Sequence, residues 1–389
     1  MRKILYFHHA ISMGGAPNSL ATLVAGLDKS EFTPIIVMPK REGNGEVKSL
    51  FGDAGALTIE VEAIRPFHGS AVARNNSWKG RAYALASYPL LVSAARQVVS
   101  KIKPDIVHLN STCLVAAAAG AHMESRELPV IAHVREPLLQ NWWGRMLALL
   151  NRRHVDYFVG IDQAGLSSLG GNINGSVVRN SYEETTSKHD HGYRYSLGFS
   201  DSDVLFLSLS RVSESNGPLE LAQLISQSDG DLDARAKFVV AGFSPATSRY
   251  AEDARALLQA NVRSVALEFL PDPGPILNAA DVIIAPFVSP HSARSVFEGA
   301  VLGKPAIVTP HPNLLELVER EKTGLVFSLQ DRMSFVSAVN TLCDLETRKR
   351  LGSAAQSRAK FLFDPRLNND AMMEIYRHLI FTGRGQHAP

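Results

Sequence analysis

The sequence predicts an α/β protein made of two parallel-sheet domains, and three observations carry that reading. At 389 residues the chain exceeds what one ordinary core organises. Short apolar runs alternate with segments of helical periodicity throughout, the pattern of successive β-α units. A polar stretch, Glu183 to Ser202, separates the halves, and a fresh buried strand starts at Val204. The expected boundaries are a first domain over 1–185, a linker over 186–202, a second domain over 203–365 and a closing helical segment over 366–389.

Composition narrows the setting. Hydrophobic residues make up 45% and charged residues 20%, a globular profile, and a net charge of +2 argues against nucleic acid as a partner. Residues 1–190 carry 20 Lys+Arg against 16 Asp+Glu, and the remainder 20 against 22. The first half is therefore the mildly basic one, compatible with an anionic membrane surface or a phosphorylated acceptor. Cys113 and Cys343 are expected in different domains, so no disulfide is expected and a reducing cytoplasm fits. The opening MRKILYFHH lacks a signal peptide's apolar core, and no apolar run reaches membrane-spanning length.

In the first half, Lys3–Phe7 reads as a buried strand followed by His8, His9 and the loop at Gly14-Gly15. Pro17 suits the first turn of a helix whose apolar face is Leu20, Leu23, Val24 and Leu27. Strand, glycine loop and helix can cradle a phosphate or merely connect, and the absence of GxGxxG counts against a nicotinamide enzyme. Thr33–Met38 and Leu57–Val61 read as strands with a helix at Glu46–Ala54 between them. Arg65 to Gly80, with His68, Asn75 and Asn76, reads as a loop for acceptor contacts or movement, before a long helix over Lys79–Lys101.

The strand Ile106–Leu109 ends at Asn110-Ser111-Thr112. Ligands gather at the C-termini of parallel strands, although Ser or Thr here also caps the helix Leu114–His122. Pro129–Val134 runs into His133, Arg135 and Glu136, which read either as a core histidine plus a surface ion pair or as a site. The helix around Trp142, Trp143, Met146, Arg145, Arg152 and Arg153 can lie in a membrane interface or simply cover a sheet. Strands at Val155–Ile161 and Ser176–Arg179 flank a helix at Gln163–Leu169. His189, Asp190 and His191 lack a second pair of ligands at useful spacing, so they read as linker rather than metal site.

In the second half, Val204–Leu209 leads to Arg211 and Asn216-Gly217, and further strands lie at Phe238–Ala241, Ala266–Phe269 and Asp281–Ala285. Ser289 to Phe327 holds a loop, a short helix carrying Glu298, a turn at Gly303-Lys304-Pro305, the strand Ala306–Val308, then a helix and a strand. A loop entering a helix gathers free backbone N–H groups at the helix's positive end, which suits a phosphate. Glu298, about a turn in, suits vicinal hydroxyls, and a nucleotide sugar offers both groups. The same spacing also fits an ordinary crossover. Helices at Ser334–Leu342, Glu346–Phe363 and Leu367–Phe381 precede a tail, Thr382–Pro389, expected to fray.

The segments EGAVLGKPAI, PVIAHVREP and GGAPNSL together resemble the GT-B glycosyltransferases of the retaining family 4. That resemblance covers nearly the whole chain. It implies a GT-B fold, two Rossmann-like domains facing a central cleft, with the last helix crossing back to brace the first domain. It implies a nucleotide diphosphate sugar, UDP- or GDP-linked, as donor, a glycan or lipid-linked acceptor and no metal. The implied activity is a retaining glycosyl transfer in surface polysaccharide or glycoconjugate assembly, in the cytoplasm and with the inner membrane face as a peripheral contact. The implied catalytic set is His133, Arg211 and Glu298. Donor contacts fall on Gly14, Gly15, Arg211, Asn216, Arg294 and the helix start Ser295, Val296, Phe297 and Glu298; acceptor contacts fall on Arg135, Glu136 and Asn110. The loop after Phe269-Leu270 is implied to pack on the base.

Two positions depart from the family's pattern. Glu298 matches the second Glu of an E-x7-E pair, but Pro290 stands where the first should be. Asn216 replaces the Lys of a Lys-Gly pair; it donates only a neutral hydrogen bond where Lys would neutralise the diphosphate. Lys304 and Arg294 are the cations placed to compensate. The departures keep open a catalytically impaired GT-B protein acting as a binding or complex subunit, and a sugar-nucleotide epimerase on the same fold is a third reading.

Overall fold

The structure is a computed structural model that describes residues 1–11, 13–69, 77–182, 191–245 and 248–383. Asn75, Asn76, His189, Asp190, the side chain of His191 and the tail beyond Gly383 lie outside the described residues, and so do the expectations placed on them.

The chain forms β1 (Arg2–Phe7), α1 (Gly15–Ala25), β2 (Phe32–Pro39), α2 (Gly45–Asp53), β3 (Leu57–Val61), α3 (Trp78–Ile102), β4 (Ile106–Leu109) and α4 (Val115–Glu124). Next come β5 (Val130–Val134), α5 (Trp142–His154), β6 (Tyr157–Gly160), α6 (Gln163–Ser168), β7 (Gly175–Val177), α7 (His191–Ser196), β8 (Val204–Leu209) and α8 (Pro218–Gln227). They are followed by β9 (Ala236–Phe243), α9 (Arg249–Gln259), β10 (Ser264–Glu268), α10 (Gly274–Ala279), β11 (Val282–Ala285) and α11 (Arg294–Val301). The chain closes with β12 (Ala306–Val308), α12 (Pro312–Leu317), β13 (Gly324–Val326), α13 (Arg332–Cys343), α14 (Leu345–Leu362) and α15 (Pro365–Thr382).

Two compact units result: residues 1–181 with 364–389, and residues 182–363. Every named strand pair is parallel. The first unit holds a seven-stranded sheet in the order β3-β2-β1-β4-β5-β6-β7, the second a six-stranded sheet in the order β10-β9-β8-β11-β12-β13. The strands nearest each centre are apolar and buried along both faces, as helix-covered parallel strands must be. In each sheet the chain reverses its direction of winding once, between β1 and β4 and between β8 and β11, and such switch points open a crevice at the strand C-termini.

Local chemistry sets several helix starts. The Asn141 side chain accepts from the backbone N–H groups of Trp143 and Gly144 to open α5, and Asp162 caps α6 in the same way. Pro218 opens α8, where its missing N–H costs nothing. Residues 191–202, expected as linker, belong to the second unit. Arg194 explains why: its guanidinium donates to the carbonyls of Ser200 and Ala279 and to Asp281, fastening α7 to the sheet. Tyr182 N–H donates to the Phe363 carbonyl at 3.1 Å, pairing the two ends of the second unit. The helix α15 contributes Met372, Met373, Tyr376 and Leu379 to the core under β1 and β2 of the first unit. Cys113 and Cys343 are free, buried, and in different units.

Candidate functional site

In the first unit, β1 and β4 deliver His8 and Asn110 to the switch point. Asn110 is fully buried; its amide reaches His8 Nδ1 at 2.8 Å and the Ala16 carbonyl at 3.3 Å. Arg135, just after β5, donates from Nε to the Asn110 carbonyl at 2.9 Å and from a terminal nitrogen to Asn180 Oδ1 at 3.0 Å. These bonds tie the ends of β1, β4, β5 and β7 together. Asn110 and Arg135 therefore hold this edge together from within. Glu136 is exposed and makes no bond to Arg135 among the described residues. Gly14 precedes α1 without a side-chain cap, and a Cβ on Gly14 or Gly15 would meet nothing within 4 Å. The start of α1 therefore has free space beside both glycines.

His133 ends a buried chain of hydrogen bonds that the sequence did not disclose. Its Nδ1 lies 2.7 Å from His108 Nε2; His108 Nδ1 lies 2.6 Å from the Tyr376 hydroxyl, which lies 3.0 Å from the Tyr6 hydroxyl. Burial pushes His108 down to about 3 and His133 well below the ordinary histidine value, and the Arg135 charge acts the same way. Both rings are thus neutral at pH 7, and each has one N–H. The chain then has two self-consistent directions: His108 Nε2–H donates to His133 Nδ1, or His133 Nδ1–H donates to His108. The first leaves His133 Nε2 a donor, the second an acceptor.

In the second unit, β8 and β11 play the corresponding parts. Arg211 follows β8 and is exposed, with no side-chain hydrogen bond or ion pair among the described residues. Its loop is held close by two glycines with left-handed φ. A Cβ at Gly217 (φ 70°) would sit 2.0 Å from the Pro286 carbonyl oxygen, and one at Gly242 (φ 119°) 2.0 Å from that of Ser210. Asn216 is buried and donates to the Arg211 carbonyl at 2.6 Å, so its amide shapes the loop. The backbone N–H groups of Val288 and Ser289 both donate to the Ser215 carbonyl, joining this loop to the one that carries Pro290.

That second loop enters α11 through Ala293 without a side-chain cap. Ser295, Val296, Phe297 and Glu298 are all buried. Burial raises the Glu298 carboxyl above its ordinary value, while Arg294, one turn earlier, pulls it down through a direct ion pair. Arg294 also lies over the Phe297 ring, 5.6 Å from its centroid. His291, next to Pro290, stacks on Phe287 at 4.0 Å, and burial lowers it to about 4. Lys304, the other cation considered beside Asn216, is buried and donates to the Asn278 carbonyl at 3.2 Å. Phe269 is exposed at the end of β10.

The order of the sheets, the two uncapped helix starts and the buried Glu298 describe paired nucleotide-type α/β units. Residues 193–358 match the family described as Glycosyl transferases group 1. The chain thus carries a glycosyl transferases group 1 domain in a GT-B fold, the arrangement of a sugar-transferring enzyme. Solved structures share that fold across the whole chain. HepE of Anabaena, solved with UDP and glucose, is 17% identical with a TM-score of 0.79, over 97% of this chain and 100% of its own. Sucrose-phosphate synthase of Thermosynechococcus elongatus is 15% identical with a TM-score of 0.76, over 98% of this chain and 100% of its own. A glycosyltransferase of Rickettsia africae is 15% identical with a TM-score of 0.76, over 97% of this chain and 98% of its own. No curated protein matches the sequence.

Proposed function

We propose that the chain is a retaining glycosyltransferase that moves a sugar from a UDP- or GDP-sugar to a glycan or glycolipid acceptor in surface polysaccharide or glycoconjugate assembly. The carrying observation is the edge of the second unit, where exposed Arg211, an uncapped α11 and the buried Glu298 lie on the elements flanking one switch point. UDP bound to HepE, a structure of the same fold, supports the choice of ligand.

In this reading Arg211 and the N–H groups opening α11 stabilise charge growing on the leaving diphosphate. Glu298 takes the ribose hydroxyls, exchanging its bond to Arg294 and freeing that cation toward the phosphates. His133 and the Gly14-Gly15 loop position the transferred sugar and the acceptor. The reaction is read as metal-independent, these protein groups doing the work of a cation. Trp142 and Leu149 on the outer face of α5, beside Arg145, support peripheral contact with the inner membrane face; among the described residues no helix is long and apolar enough to cross a membrane.

Thermal stabilisation by UDP, GDP, ADP and TDP, without metal, tests the donor assignment. A ligand of the folded state at a hundredfold excess over its Kd adds roughly 2.7 kcal/mol of stability. A shift with one base names the donor, and no shift with any base refutes the assignment. The second reading, an impaired subunit, is favoured by one specific observation: Pro290 and Asn216 both leave the Arg211 edge without a family group, and the Asn216 amide is already engaged. Nucleotide binding without release of nucleotide from any sugar donor, with a range of acceptors, would select it.

A further inference from the structure

A cleft on the first unit, used by none of the groups above, has the chemistry of a phosphate site. It encloses about 280 Å³ and is lined by Arg41, Arg65, Arg81, His68, Tyr83 and Trp143, among others. Arg41 follows β2 and Arg65 follows β3, so both sit at the C-terminal edge of the parallel sheet. Arg81 stands in the first turn of α3. Three elements therefore deliver guanidinium groups to one concavity.

Those guanidinium groups are short of anionic partners. Arg65 bonds the Tyr83 hydroxyl and lies 5.3 Å from that ring's centroid. Arg81 sits over the Trp142 and Trp143 rings, at 5.6 and 5.7 Å, and its Nε is buried without a hydrogen-bond partner among the described residues. Among the described residues none of the three pairs with a carboxylate. An adjoining depression adds Lys40, Glu42 and Glu62, but Glu62 lies 3.3 Å from Lys40. Trp143 is fixed by donating Nε1–H to the His68 carbonyl at 2.8 Å, so the platform under Arg81 is rigid. A stacked, preoriented guanidinium loses little freedom on binding, and its planar fork matches phosphate oxygens better than a lysine would.

We propose that this cleft binds a phosphate group, with Arg41, Arg65 and Arg81 as its ligands, and that the phosphate belongs to the acceptor. Binding stands on the cleft alone; calling the occupant an acceptor rests on the transferase reading. The phosphate can be carried by a soluble sugar phosphate or by a lipid headgroup, and the two sources are separable.

The test titrates the full chain with inorganic phosphate and, separately, floats it with phosphatidylcholine vesicles with and without phosphatidylglycerol. Wild type is compared with Arg65→Gln/Arg81→Gln and with Lys101→Gln, an exposed control at the far end of α3. UDP binding is measured on each. The expected result is saturable phosphate binding weakened at least tenfold in the double variant, unchanged in the control, with UDP binding untouched. Flotation that needs phosphatidylglycerol and is lost in the double variant assigns the phosphate to a lipid; no flotation assigns it to a soluble acceptor. Phosphate binding that is equal in wild type and double variant, or absent from wild type, overturns the proposal. Loss of UDP binding in wild type itself sinks the donor assignment and leaves the phosphate site standing.

Discussion

Replacing Tyr376 by Phe removes one oxygen from the centre of the buried chain that runs from Tyr6 to His133. The ring stays, so packing against Phe32 and His108 is retained and no cavity larger than a hydroxyl forms. Two partners lose their bond: the Tyr6 hydroxyl at 3.0 Å and His108 Nδ1 at 2.6 Å, both on fully buried residues. A buried polar group left unmatched costs about 1–3 kcal/mol, so the expected loss is about 2–4 kcal/mol. Tyr6→Phe leaves Tyr376 bonded to His108 and is expected to cost about 1 kcal/mol. The double variant should lose less than the sum, because it deletes a pair together. All three tryptophans, Trp78, Trp142 and Trp143, lie in the first unit, so intrinsic fluorescence during urea unfolding reports that unit alone. A loss below about 0.5 kcal/mol in Tyr376→Phe would mean that the hydroxyl is not holding the chain together.

Acid should destabilise the same unit. Burial holds His9 at about 4 and His108 at about 3 in the folded state, whereas the unfolded chain takes up those protons near 6.5. The stability they confer is complete above pH 6.5 and drains away below it, by about 2 kcal/mol for each at pH 5; an unchanged urea midpoint between pH 7 and pH 5 contradicts this. Glu298→Gln should weaken nucleotide binding at least tenfold while moving apo stability by no more than about 1 kcal/mol, since it breaks an ion pair whose arginine is 30% exposed and can turn to water, and it also removes the burial of the Glu298 charge. A large apo destabilisation would mark Glu298 as structural. Gly217→Ala places a Cβ against the Pro286 carbonyl in a left-handed backbone; amide exchange of Val288 and Ser289 should accelerate as their bonds to Ser215 open, and unchanged exchange argues that the loop is not pinned there.

The fold was legible because parallel, doubly buried strands leave nearly continuous apolar runs. The strand at Ile106–Leu109 and that at Ala306–Val308 match their expected bounds. Residues 191–202 read as linker because their polar anchor, Arg194, looks like any surface arginine until Asp281 and Ala279 are beside it, and because Phe199, Tyr193 and Leu197 are too scattered to show that they join a core. Site positions on the strands' ends were legible in place, but their internal bonding was not. Asn110, Arg135 and Asn216 lie at the switch points, yet their hydrogen bonds run inward, and no one-dimensional pattern gives a side chain's direction. The chain of Tyr6, His108, His133 and Tyr376 left half a signal: two histidines inside otherwise apolar strands. Its other half was hidden, because Tyr376 arrives from a helix more than two hundred residues away in sequence. Arg41, Arg65 and Arg81 gave none, since scattered arginines are ordinary surface residues until strand order gathers them.

The first unit is interrupted in the chain: residues 182–363 are inserted between its main body and α15. A ribosome adding roughly 5–20 residues per second therefore holds the first sheet unfinished for roughly 10–40 s while the second unit is made. During that interval Ile4, Tyr6, Phe32 and Ile36 lack the cover that Met372, Tyr376 and Leu379 later supply, and His108 lacks its hydroxyl partner. The nascent protein thus spends its synthesis with an apolar face and an unmatched histidine waiting for the last helix. Chaperone engagement should therefore outlast the emergence of the first sheet and end only once α15 has left the ribosome and docked.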